Sequence, residues 1–122
     1  KTDVMIFPGG MPGSSNLAAF GKLMDIMRQH YEEGGTLAAI CAAPSVVLGQ
    51  LPELSGRKMT CYDGFEEGLT SKGAEYVKEG VVTDGNIITG RGPGWAVEFG
   101  LAILAHIKGD EVAAKVKAGL ML

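Results

Sequence analysis

Three clusters of glycine, Gly9-Gly10-Gly13, Gly34-Gly35 and Gly90-Gly92-Gly94, each fall where an apolar run ends or begins. That punctuation restricts the chain to short strands and helices joined by tight loops, since glycine supplies the backbone freedom such loops need. "DVMIF" before "PGG" predicts a buried strand over 3–7. A helix is expected from about Asn16, with Ser14 or Ser15 as N-cap. Leu17, Phe20, Met24, Met27 and Tyr31 step by three and four as one buried face, and Gly34-Gly35 end the helix. "TLAAI" reads as the next strand, "APSVVLGQL" as a helix and "KMTCY" as a third strand. "EGVVTDGNIITG" predicts a hairpin around Asp84-Gly85. "GWAVEFGLAILAHI" predicts a helix buried all round, and an amphipathic helix built on Val112 and Val116 follows it. Strands alternating with helices indicate an α/β sheet covered on both faces. In such sheets ligands bind at the carboxyl ends of the strands. All three glycine loops and Cys41 are expected on that edge.

A chain of 122 residues can bury a core of its own, and 46% apolar with 20% charged residues is the balance of a globular protein. A net charge of −3 with no Lys/Arg stripe argues against nucleic acid as a partner. No apolar run reaches the ~20 residues that span a bilayer, so no membrane partner is expected. Cys41 and Cys61 lack the spacing of a zinc site or a disulfide framework, and a reducing cytoplasm is the expected location. "GRGPG" does not complete a phosphate-binding loop, and the six methionines are scattered. The opening strand leaves almost no chain ahead of it, so a doubly wound sheet entered there would lack a first strand-helix unit. The expectation is a fragment or a processed chain.

Cys41 follows a strand, precedes a helix and is flanked by Ile40, Ala42 and Ala43. This is the layout of a nucleophile elbow, where a sharp turn presents the reactive atom and small neighbours avoid clashes. A helix opening at Ala42 turns free N–H groups toward the sulfur, which favours thiolate and lowers the pKa below about 8.5. Pro44 fits the first turn, and the Ala42 N–H would face an oxyanion. Free cysteines are also often inert core residues, and from these residues alone the two readings weigh equally. Cys61, with no helix directly after it, reads as structural. His30 and His106 read as core or surface residues of helices, and Arg91 reads as an anion ligand or as the partner of a surface carboxylate, the second being favoured.

"FPGGMPGSSNL", "LAAICAAPSVVL", "KMTC", "DGNIITGRGPGWAVEFGLAI" and "GDEVAAKVKAGL" together resemble the DJ-1/ThiJ/PfpI family, on its DJ-1 and YajL branch, over essentially the whole chain. The resemblance implies a flavodoxin-like three-layer α/β/α sandwich with a mostly parallel sheet, here the C-terminal two thirds of one domain, and a homodimer. It implies that Cys41 is the reactive, easily oxidised cysteine, with Gly10 and Ala42 as the backbone oxyanion hole. Gly9, Met11, Tyr62, Gly92 and Pro93 become substrate-pocket residues. The family's glutamate lies on an earlier strand, so the missing segment of the same protein is an expected partner. Tyr62 stands where some members carry a histidine, which argues against a Cys-His dyad.

The activity implied is conversion of methylglyoxal and glyoxal to hydroxy acids without glutathione, together with removal of such adducts from proteins. The substrate would be a small dicarbonyl, and no metal or organic cofactor is implied. An alternative is a non-catalytic, redox-responsive or chaperone-like protein acting through oxidation of Cys41. A cysteine peptidase or amidase ranks third, for want of a histidine.

Overall fold

The structure, a computed structural model, describes residues 4–11 and 13–120; Asp3 of the expected first strand lies outside them. Along the chain run β1 (Val4–Phe7), α1 (Gly13–Ala19), α2 (Gly21–Glu32), β2 (Thr36–Ile40), α3 (Ala43–Val46), β3 (Lys58–Met59), α4 (Glu67–Thr70), β4 (Glu75–Tyr76), β5 (Val81–Asp84), β6 (Ile87–Gly90), α5 (Ala96–Lys108) and α6 (Asp110–Leu120). Single 3-10 turns lie at Leu48–Gln50 and Pro93–Trp95.

The main sheet has the order β1-β2-β6-β5. β1, β2 and β6 are parallel, and β5 returns antiparallel to β6. Alternate side chains of the central strands feed two cores, as a sheet covered on both faces requires. Leu37, Ala39 and Ile87 pack with Met24 and Met27 of α2 and with Val47 and Leu48. Ala38 and Ile88 turn the other way, onto Phe99 and Ile103 of α5. The expected α/β/α layering is therefore present. The hairpin is present too: Asp84 pairs with Ile87, and Gly85 at φ +58 opens the two-residue turn.

Several expectations need correction. The first helix is two. Phe20 leaves helical geometry at ψ 91 and is 59% exposed, so it does not share the face of Met24 and Met27. Its spacing matched theirs, but the poor helix former Gly21 follows it and α2 starts afresh there. The next helix is also shorter than expected, one turn of α3 followed by a 3-10 turn. In "KMTCY" only Lys58–Met59 form a strand, paired with β4 in a separate two-stranded sheet, because β5 already occupies the outer edge of β6.

Gly34 and Gly35 close α2 by donating to the Tyr31 and His30 carbonyls, at 3.0 and 2.8 Å, the crossed bonds of a Schellman end. They therefore feed the amino end of β2, opposite the edge expected for them. α5 buries one face only: Phe99 and Ile103 are inside, while Val97 and Ile107 are 43% and 46% exposed. In α6 the buried residue is Ala113, and Val112 and Val116 face outward.

Candidate functional site

Cys41 is the residue directly after β2, at the carboxyl edge of the sheet. Its φ of +64 makes it the one non-glycine among the described residues in the left-handed region. Such a conformation costs about 1–3 kcal/mol and persists only where surroundings hold it. Two backbone bonds do so here. The Cys41 N–H donates to the Gly90 carbonyl at 3.0 Å, and the Cys41 carbonyl accepts from the Tyr62 N–H at 2.8 Å. The thiol residue is half-buried. The elbow expected from small flanking residues is thus built, with Ala42 and Ala43 buried beneath it.

Gly9 touches this elbow. A Cβ there would collide with the Cys41 Cβ and lie 2.6 Å from the Ile40 carbonyl oxygen and 3.1 Å from Cys41 Sγ. Only glycine allows the loop after β1 to pass so close. Gly10 follows at φ +97 and accepts from the Ser14 N–H at 2.8 Å. Among the described residues neither the Gly10 N–H nor the Ala42 N–H has a hydrogen-bond partner, which leaves both donors available. Met11 is 54% exposed, its sulfur 3.5 Å from the Ser15 hydroxyl that donates to it. No described contact brings Met11 to Cys41.

On the other side, a Cβ on Gly92 would meet the Tyr62 ring at 3.5 Å, ordinary contact distance. Pro93 opens the 3-10 turn behind it. Tyr62, Asp63, Arg91, Gly92, Gly94 and Trp95 line a cavity of about 250 Å³. Arg91 forks onto Asp63, with Nη2 at 2.8 and 3.1 Å from the two carboxylate oxygens and Nε at 3.1 Å. The surface ion pair expected for Arg91 is therefore present. Its partner Asp63 was not legible beforehand, because the two residues meet only through the tertiary fold.

The expected fall in the Cys41 pKa is corrected: burial pushes the thiol up from its ordinary value. No ionisable neighbour offsets that burial, and α3 is a single turn of four residues, too short for a strong dipole. Cys61 is fully buried, and its thiol is pushed up to about 12 by burial, with the Glu66 and Asp63 carboxylates adding to the shift. That is the setting of a structural rather than a reactive cysteine.

Both histidines gather at Thr36, at the opposite edge. His30 Nε2 donates to the Thr36 carbonyl at 3.1 Å, and His106 Nε2 lies 2.9 Å from Thr36 Oγ1. Thr36 and Cys41 are five strand steps apart, roughly 16 Å, so neither ring can serve the thiol. Among the described residues no cluster of three His, Cys, Asp or Glu could hold a metal ion, and no helix is long and apolar enough to cross a membrane.

A model of the DJ-1/PfpI family matches residues 1–106. The chain is 38% identical over 122 residues to Protein dj-1beta of Drosophila melanogaster, covering 100% of this chain and 65% of that protein. The crystal structure of that fly protein superposes with a TM-score of 0.91, over 100% of this chain and 65% of its own. "Glutathione-independent glyoxalase DJR-1.2" of Caenorhabditis elegans is 35% identical over 109 residues, 89% of this chain and 57% of that protein. A structure described as "Toxoplasma gondii DJ-1, oxidized" is 31% identical with a TM-score of 0.90, over 99% of this chain and 65% of its own. The chain thus spans less than two thirds of these relatives.

Proposed function

The chain belongs to the DJ-1/PfpI family, and from that premise we propose that the complete protein converts small 2-oxoaldehydes to hydroxy acids without glutathione, with Cys41 as nucleophile. The observation that carries this reading is the strained elbow: Cys41 at φ +64 with Gly9 packed against it, and, among the described residues, no hydrogen-bond partner for the Gly10 and Ala42 N–H groups. A relative 35% identical bears the name of a glutathione-independent glyoxalase, which supports the same class of reaction.

In the proposed reaction the Cys41 thiolate adds to the aldehyde carbon, giving a hemithioacetal. The Gly10 and Ala42 N–H groups hold the oxyanion and the enediol that follows. A base moves the proton between the two carbons. Among the described residues no ionisable group bears on Cys41, and the family resemblance assigns that step to a glutamate on a strand of the family fold that the 122 residues do not span. Water then cleaves the thioester and releases the hydroxy acid. Removal of aldehyde adducts from proteins, a homodimeric assembly and a cytoplasmic location belong to the same proposal.

The test is lactate formation from methylglyoxal, without glutathione, by the full-length protein and its Cys41→Ser variant. Turnover that disappears in the variant is the expected result. No turnover in the intact full-length protein would reject the enzymatic reading. One observation favours a second reading, oxidation of Cys41 as a redox signal: the thiol is half-buried and reachable, and an oxidized relative has the same fold. Peroxide-treated protein that gains chaperone-like activity, with no aldehyde turnover before treatment, would select that reading.

A further inference from the structure

Cys41 sits inside a closed circuit of contacts. Its N–H is bonded to the Gly90 carbonyl, and the next residue along that strand end is Arg91. Its carbonyl is bonded to the Tyr62 N–H, and the next residue along that segment is Asp63. Arg91 and Asp63 then meet in a two-pronged ion pair, closest approach 2.8 Å. The pair therefore ties together the two segments that grip the Cys41 backbone from either side. Beside it, a Cβ built on Gly92 would stand 3.5 Å from the Tyr62 ring, so the two segments run close together. The 250 Å³ cavity is walled by Tyr62, Asp63, Arg91 and Gly92 together with Gly94 and Trp95, and it lies next to Cys41 in the chain fold without Cys41 in its wall. Apart from the ion pair, each link in the circuit is covalent chain or a single backbone hydrogen bond. The side chains of Arg91 and Asp63 are 28% and 64% exposed, so salt reaches this one link and screens it.

We propose that the Asp63–Arg91 ion pair is a positioning device that holds the Tyr62 and Gly92 segments closed around Cys41 and so limits the size of electrophile that reaches its sulfur. The proposal rests on the reading above only in taking Cys41 as the reacting residue. Asp63 and Arg91 act through Tyr62 and Gly92 and need not touch the substrate. Two-pronged guanidinium–carboxylate geometry suits this task, because it fixes orientation as well as distance.

The experiment uses full-length protein and compares alkylation of Cys41 by iodoacetamide and by pyrenylmaleimide, with the labelled residue identified by mass spectrometry. The ratio of the bulky to the small reagent's rate is expected to rise about fivefold in Asp63→Ala, the upper end of what an exposed ion pair supplies. Arg91→Met should give the same rise, and Asp63→Glu should stay near wild type. Raising salt to about 1 M should move wild type toward the Asp63→Ala ratio and leave that variant unchanged. A ratio in Asp63→Ala indistinguishable from wild type overturns the proposal. So does a rise that Asp63→Glu shares in full and that salt does not reproduce. Because the readout is thiol alkylation, absence of aldehyde turnover would not imitate either result.

Discussion

Replacing Gly9 with alanine sets a methyl group where the reactive elbow already stands. The new Cβ would collide with the Cys41 Cβ and lie 2.6 Å from the Ile40 carbonyl oxygen, so main chain rather than a pliable side-chain tip must yield. Forcing extra volume into such a site costs about 1–3 kcal/mol. The displacement falls on a residue already strained at φ +64, so the thiol should lose its position as well. Two neighbouring glycines act as controls. At Gly10 there is open space but φ is +97, and alanine there should cost about 1–2 kcal/mol from backbone strain alone. Gly92 is extended, at φ −172, with the Tyr62 ring at ordinary contact distance. Alanine at that position should be neutral or add about 0.4–1 kcal/mol by restricting the unfolded chain. Urea unfolding of the three variants should rank them Gly9→Ala lowest, Gly10→Ala next and Gly92→Ala at or above wild type. Iodoacetamide labelling of Cys41 should change most in Gly9→Ala. A Gly9→Ala protein as stable as Gly92→Ala, with unaltered labelling, would refute the argument that close approach demands glycine there.

Two other outcomes concern the core. Cys61 has its thiol pKa raised to about 12 in the folded chain, so its contribution is intact below the unfolded thiol's pKa. Stability should then fall as pH climbs from about 8.5 toward 12, by up to about 1.4 kcal/mol per pH unit. Cys61→Ala should flatten that alkaline limb in urea titrations at successive pH values; an equal slope in both proteins would contradict the assignment. Arg57 donates to the Tyr31 hydroxyl, the Asp84 carbonyl and Asn86 Oδ1 at 3.2, 2.7 and 2.7 Å, joining α2 to the β5–β6 turn. Arg57→Met should lose about 2–3 kcal/mol of unfolding free energy through those stranded acceptors, and a loss under 0.5 kcal/mol would count against the hub.

Sequence alone was enough for features whose cause is local. Val4–Phe7 and Thr36–Ile40 are apolar runs bounded by glycine, and the β5–β6 hairpin carries its own turn residues. The elbow at Cys41 was legible for the same reason: small residues, a strand before and a proline after are all neighbours in the chain. The glycine cluster put Gly9 at the right edge, Tyr62 was reached only through family resemblance, and no local signal marked Asp63.

Where two distant segments must meet, local pattern had nothing to report. The break at Phe20 keeps the three-and-four spacing of a continuous helix, so periodicity could not reveal it. The exposure of Val97 and Ile107 depends on what packs over α5, which no run of α5 residues encodes. Burial pushes the Cys41 thiol up, a direction opposite to the one its flanking residues imply. Local sequence decides backbone conformation through sterics and hydrogen bonding within a few residues. Desolvation, ion pairing and the circuit around Cys41 depend on distances through space, and only the folded chain sets those.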